Sequence, residues 1–320
     1  MSPFTLTRTL PTDATAAALR ADVRRGLTHA PKELPPKWFY DARGSELFDE
    51  ITRLPVYYPT RAEREILLTR SDAIAAATGA RTLIELGSGS SDKTRHLIGA
   101  LGTLDAYVPV DVSASALEAA GKSLLAEHPG LTVHALVADF QHGLTLPETP
   151  GPRLLAFLGG TLGNLLPAER AVFLRDLHAL LAPGDALLLG TDLVKDEATL
   201  VAAYDDPQGV TAAFNRNVLH VINRELDADF DPDDFSHLAR WNAGDAWIEM
   251  RLRARRALTV KIPALGLEVS FADGEELRTE VSAKFREDGI RTELATAGMD
   301  LTHWWTDAAG RFALSLSVRR

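Results

Sequence analysis

Three short apolar runs along this chain end in residues that could hold a nucleoside. The first, Leu83-Ile84-Glu85-Leu86, reads as a buried parallel strand. It opens into Gly87-Ser88-Gly89-Ser90-Ser91-Asp92-Lys93-Thr94, where two glycines let the backbone turn tightly and approach a ligand that a Cβ would repel. The second run, 106–110, stops at Asp111, and the third, 133–138, stops at Asp139 and Phe140. In a doubly wound sheet, ligands sit beyond the carboxyl ends of neighbouring strands, so the three loops can face one crevice. A lone Gly-x-Gly is weak evidence, and one aspartate after a strand is most often a turn or a helix cap. The three in order along one chain point to a nucleoside site. A dinucleotide would need a third glycine where Asp92 stands, with helix amides left to meet a pyrophosphate, and an aspartate there repels that anion.

The elements that must carry these loops are legible as alternating helices and strands. Helices are expected at 14–27 and 61–78, near Thr94 and Ala114, and at 167–181, the last closed by Ala182-Pro183-Gly184-Asp185. Strands are expected at 153–158 and 185–191. Beyond Asp192 the alternation breaks. Residues 195–285 read as an insertion with two helical stretches, followed by alternating runs at 247–253 and 258–262 that are expected to pair as an antiparallel hairpin. A helix at 284–297 and a strand at 312–318 resume the first pattern. The expected fold is therefore α/β, a Rossmann-like doubly wound sheet over 61–194 and 286–320, with a second domain from 1–60 and 195–285.

Composition bounds the function. The chain has 320 residues, 46% of them hydrophobic, enough for one large or two modest domains. It has no cysteine, which excludes disulfides, thiolate nucleophiles, iron-sulfur clusters and cysteine zinc sites. A net charge of -10 disfavours nucleic acid as a partner. No run reaches transmembrane length, and no basic segment followed by an apolar one opens the chain, so a cytoplasmic protein without a membrane partner is expected, acting as a monomer on a small molecule. No pair of the nine histidines has metal-ligand spacing, and no metal is assigned.

Glu85, Gly87 and Gly89 resemble the acidic-x-Gly-x-Gly loop of class I S-adenosyl-L-methionine-dependent methyltransferases, whose cofactor is a sulfonium zwitterion without phosphate. The resemblance implies that Asp111 takes the ribose hydroxyls, Asp139 the adenine amino group and Phe140 a face or edge of the adenine ring, with Lys93 among the cofactor residues. More specific blocks lie outside this loop. Lys37-Trp38-Phe39-Tyr40-Asp41, Gly44-Ser45-Glu46-Leu47-Phe48, Tyr57-Tyr58-Pro59-Thr60, Thr161-Leu162-Gly163-Asn164, Ala203-Tyr204-Asp205-Asp206, Glu280-Val281-Ser282 and His303-Trp304-Trp305 are similar to the L-histidine Nα-methyltransferases of ergothioneine biosynthesis. The likeness runs over essentially the whole chain. One departure is Gly160, where close relatives are expected to carry serine.

That family implies transfer of three methyl groups to the α-amine of L-histidine, giving Nα,Nα,Nα-trimethylhistidine; the alternative is another free amino acid such as tryptophan. By motif position, Asn164 and Tyr204 would hold the carboxylate, with Asn164 also turned toward the amine. Tyr57 would sit near the amine, and Glu280 with Ser282 would grip the imidazole nitrogens. Phe48, Phe214 and Met250 would form apolar walls. An asparagine amide both donates and accepts, and a carboxylate beside a hydroxyl can satisfy both ring nitrogens, so the residue types suit these tasks. Tyr57 and Asn164 are the candidate catalytic residues, Tyr57 as proton acceptor through water, with loss of the proton to solvent as the alternative. Taken singly, Tyr57 and Tyr204 read as core or rim tyrosines, Glu280 and Lys284 as an exposed i,i+4 helical pair, and Asn164 as a left-handed turn residue.

Overall fold

The computed structural model describes residues 3–10, 13–89, 91, 93–140 and 143–320. Asp92, on which the argument against a pyrophosphate rests, lies outside the described residues. In chain order the strands are β1 (Phe4–Arg8), β2 (Thr82–Leu86), β3 (Ala106–Asp111), β4 (Thr132–Val137), β5 (Arg153–Phe157), β6 (Ala186–Asp192), β7 (Phe235–Asn242), β8 (Trp247–Ala254), β9 (Leu258–Ile262), β10 (Leu267–Phe271), β11 (Glu276–Ala283), β12 (Met299–Thr306) and β13 (Phe312–Arg319). The helices are α1 (Ala14–Thr28), α2 (Ala42–Arg53), α3 (Pro59–Thr78), α4 (Thr94–Ala100), α5 (Ala114–Glu127), α6 (Pro167–Leu180), α7 (Glu197–Tyr204), α8 (Val210–Leu226) and α9 (Glu287–Thr296). Among the described residues, no helix is long and apolar enough to cross a membrane.

The chain divides into two compact units. The first comprises Met1–Pro11, Pro59–Val194 and Phe285–Arg320. It is built on an eight-stranded sheet in the order β1-β4-β3-β2-β5-β6-β13-β12, parallel from β1 to β6 and antiparallel at β13 and β12. Strands covered on both faces read as continuous apolar runs, and every residue of β2 and β6 is buried. Helix α3 buries Ala62, Glu63, Ile66, Leu67, Ser71 and Ile74, a stripe at helical spacing, and its apolar members join the core under the sheet. The strand order reverses at β2, with β3 on one side and β5 on the other, and such a switch point opens a crevice at the strands' carboxyl ends.

The second unit, Thr12–Tyr58 with Lys195–Lys284, has its own core around Leu19, Phe39, Phe214, Ile248 and Leu252. It holds the sheet β11-β8-β7 and the pair β10-β9.

Three expectations are corrected. Residues 1–60 do not all belong with the insertion, because Phe4–Arg8 adds a parallel edge strand to β4 in the first unit. The runs 247–253 and 258–262 do not pair with each other. Arg255 N donates to Asp234 O at 2.8 Å and Arg256 pairs with the Asp234 carboxylate, so the chain leaves the sheet there. Strand β8 turns back on β7 through Asn242, whose side-chain oxygen accepts from Gly244 N and Asp245 N at 3.1 Å, while β9 turns to β10 through Pro263–Leu265 and Gly266. The last helix starts at Glu287 rather than 284. Residues 284 and 285 are extended, with Lys284 N bonded to Ala246 O and Phe285 N to Asp192 O, both at 2.8 Å. Trp304 and Trp305, in one of the similar blocks, lie in strand β12, half-buried, with Trp305 stacked on His303 at 5.0 Å.

Candidate active site

Each unit carries its own group of candidate residues. In the first, parallel pairing of β4, β3 and β2 brings their carboxyl ends to one edge. Gly87 N and Ser88 N donate to Val110 O at 2.8 and 3.2 Å, which folds the glycine loop onto the end of β3. Gly87 and Gly89 both have positive φ, +70° and +50°; a Cβ at Gly89 would meet nothing within 4 Å, and one at Gly87 would meet only the Phe140 ring. Asp111 is oriented by two backbone amides, Gly89 N on Oδ2 at 3.0 Å and Ser113 N on Oδ1 at 2.9 Å. Phe140 packs edge-on against Phe157 at 5.4 Å. The glycine loop, Asp111 and Phe140 are thus brought together at this edge, and Asp139 directly precedes Phe140 in the chain.

Residues beneath the loop fix its shape. Glu85 is buried, accepting from Thr94 Oγ1 at 2.5 Å and from the Tyr107 hydroxyl, which also meets Ser91 Oγ at 2.8 Å. Burial pushes the Glu85 carboxyl up to about 7, against the opposing pull of Thr94, Tyr107 and the Lys93 ammonium. Burial, followed by the adjacent Glu85 charge, likewise raises the Tyr107 phenol. Lys93 donates to Glu63, a buried residue of α3 whose other oxygen accepts from Gly159 N at 2.6 Å. One sequence signal points to Glu63: a glutamate falls within the apolar stripe of α3.

Asn164 ends a single helical turn, Thr161–Asn164, after the β5 loop. It is not in a left-handed conformation; Gly159 and Gly160 are, at φ +79° and +71°. Gly160, the departure from the expected serine, therefore occupies a position that glycine adopts without the strain a serine would bear.

The crevice suits S-adenosyl-L-methionine. Ser88 Oγ is buried with no hydrogen-bond partner among the described residues, the glycine loop leaves room beside it, and Asp111 offers a carboxylate held open by backbone amides. Such a set can accept hydroxyls and approach a nucleoside closely.

In the second unit the aromatic candidates cluster. Asp41 caps α2 by accepting from Gly44 N at 2.8 Å, and α2 presents Phe48. Asp206 caps α8 through Thr211 N and Val210 N at 2.7 and 3.1 Å, and α8 presents Phe214. The rings of Phe48 and Phe214 lie 5.9 Å apart, Tyr57 is edge-on to Phe48 at 6.2 Å, and Tyr57 to Tyr204 at 6.4 Å. Successive side chains of a strand alternate, so Glu280 and Ser282 of β11 share a face. Met250 of β8 stands opposite Glu280 and is 1% exposed. The Tyr204 hydroxyl and Ser282 Oγ are 2.7 Å apart, and Lys284 Nζ reaches both. Glu280 and Lys284 are therefore not an exposed helical pair: one is on a strand and the other is buried just past its end.

Tyr40 was missed as a site residue, although it lies inside the block Lys37-Trp38-Phe39-Tyr40-Asp41. Its ring meets Phe48 at 5.5 Å and Phe214 at 5.4 Å. About half its surface is exposed, yet loss of hydration, then the Glu280 charge and Tyr204, hold its phenol above the ordinary tyrosine range. His237 was also missed. Its Nδ1 lies 2.8 Å from Asn215 Nδ2, a donor, so Nε2 carries the proton and donates to Tyr204 O at 2.8 Å. Burial holds this imidazole below its ordinary pKa.

A doubly wound sheet with a switch-point glycine loop and strand-end acids of this kind defines a class I S-adenosyl-L-methionine-dependent methyltransferase. A family model for histidine-specific, S-adenosyl-L-methionine-dependent methyltransferases matches residues 19–319, and the chain belongs to that family. It is 59% identical over 319 residues to a histidine N-alpha-methyltransferase of Mycolicibacterium smegmatis, covering 99% of each chain. Identity to the histidine N-alpha-methyltransferase of Mycobacterium tuberculosis is 57% over 310 residues, 96% of this chain and 97% of that one. Ergothioneine biosynthesis protein 1 of Neurospora crassa is 29% identical over 289 residues, 86% of this chain and 32% of that protein.

Proposed function

We propose that this protein transfers methyl groups from S-adenosyl-L-methionine to the α-amine of L-histidine, three times in succession, giving Nα,Nα,Nα-trimethylhistidine for ergothioneine biosynthesis in the cytoplasm. The observation that carries the reading is the 59% identity to a histidine N-alpha-methyltransferase across 99% of both chains. Glu280 and Ser282 on one strand face support an imidazole as the side chain recognised, because the pair supplies an acceptor and a hydroxyl for its two nitrogens.

The cofactor, when bound, supplies an activated methyl on a sulfonium. Asp111 accepts from its ribose, Asp139 and Phe140 take the adenine, and Glu85, Gly87, Gly89 and Lys93 shape the loop around it. The remaining task is to align an unprotonated amine and exclude water. Asn164 and Tyr204 hold the carboxylate, Tyr57 receives the amine proton through water, and Phe48, Phe214 and Met250 dry the cavity, which strengthens each polar contact.

Glu280→Ala tests the substrate assignment. Loss of a charge-assisted contact should lower kcat/KM for histidine by about 10- to 100-fold, while tryptophan loses little or gains. An unchanged histidine-to-tryptophan ratio in a variant of normal melting temperature would remove Glu280 from the specificity set.

A further inference from the structure

Lys284 is a lysine only 4% exposed, placed just past the end of β11. Its ammonium lies 2.8 Å from Ser282 Oγ and 2.9 Å from the Tyr204 hydroxyl, and those two oxygens are 2.7 Å apart, closing a triangle. The same ammonium stands 4.7 Å from the centre of the Tyr204 ring. Tyr204 is also held from the other side, its backbone carbonyl accepting from His237.

An ammonium can only donate. Both hydroxyl oxygens must accept from Lys284, so neither hydroxyl hydrogen points at it. One hydrogen spans the Tyr204–Ser282 contact, and the other is directed out of the triangle. A hydroxyl that accepts from a cation is polarised and donates more strongly in turn. We propose that Lys284 is a positioning residue, setting the direction and strength of the Tyr204 and Ser282 hydrogen bonds to the amino-acid substrate. The inference rests on the reading that those two residues hold histidine.

Removing one member of a buried polar cluster leaves its partners unpaired and can lower stability whatever the residue's role, so Tm alone does not separate positioning from scaffolding. A positioning role instead shows as a change in histidine KM with cofactor affinity kept. The test uses the full chain with Lys284→Met, Lys284→Gln and the double variant Tyr204→Phe/Ser282→Ala, and measures KM for histidine, kcat, S-adenosylmethionine affinity by calorimetry, and Tm. Lys284→Met should raise KM for histidine by about 10- to 100-fold, with cofactor affinity kept within about two-fold in folded protein. Lys284→Gln should do the same, and it decides the question if the methionine variant does not fold.

Because Lys284 acts through the two hydroxyls, Lys284→Met placed on the double variant should add almost nothing. A histidine KM that stays within two-fold in both Lys284 variants, or the full cost reappearing on the double variant, overturns the proposal. If Tyr204→Phe/Ser282→Ala itself leaves the histidine KM unchanged, the reading of the two hydroxyls as substrate groups falls first.

Discussion

Lys93 and Glu63 form an ion pair in which the carboxylate is 1% exposed and the ammonium partly so. Since the second Glu63 oxygen accepts from Gly159 N at 2.6 Å, one acid ties the loop after β2 to the loop after β5, the two sides of the switch point. A buried acid with two partners costs more to remove than a surface pair, although Lys93 can turn to water.

Glu63→Gln is accordingly predicted to lower stability by about 1–3 kcal/mol. It should also weaken S-adenosylmethionine binding and leave the histidine KM unchanged at saturating cofactor. Urea unfolding and calorimetry check both halves. Unaltered cofactor affinity would mean that the pair braces the fold without shaping the crevice.

Glu85 gives a pH signature. Its folded pKa, about 7, lies above the ordinary glutamate value of 4.5, so between those values the folded chain retains a proton that the unfolded chain has released. Stability should therefore fall as pH rises from about 4.5 to about 7, by up to about 3 kcal/mol, and level off above. His237 acts with the opposite sign: its imidazole is held neutral in the fold, so stability is lost as pH falls below its unfolded value. The difference between wild type and Glu85→Gln isolates the glutamate, since His237 is common to both. A pH-independent difference across that window would contradict the account of the buried acid.

Much of the first unit is legible because period and punctuation agree. The strands at Leu83, Ala106, Val133 and Leu154 are apolar runs bounded by glycine or aspartate, and the loops they end in are local in sequence. The second unit is less legible. Strands 247–253 and 258–262 alternate well enough to be recognised, but their partners are decided by turns at Asn242 and Pro263 and by the Asp234 anchor, which periodicity does not encode. The edge strand at Phe4 has only five residues and pairs with a segment more than a hundred residues away. Lys284 was hidden for a different reason. A charged residue in a sequence reads as surface, and only the fold reveals that this one is buried against specific partners, whereas the place of Glu63 in an apolar stripe hinted at its burial but not at its partners.

Asp111 offers a direct check on the cofactor crevice. Asp111→Ala should weaken S-adenosylmethionine binding by roughly 1.5–3 kcal/mol, about 10- to 150-fold, through loss of a charged acceptor. Because Asp111 also accepts from Gly89 N and Ser113 N, Asp111→Asn serves as the companion variant with its shape retained. Calorimetry on both, with unchanged affinity in folded protein, would place the ribose elsewhere.

The most direct measurement is to incubate the purified protein with S-adenosylmethionine and each of the twenty standard amino acids separately, reading mass gains and locating the methyl groups by fragmentation. The account predicts that histidine alone gains methyl groups, up to three, all on the α-nitrogen, with S-adenosylhomocysteine formed in step. No product from free histidine, methyl groups on its ring, or methylation confined to another amino acid or a protein would contradict it.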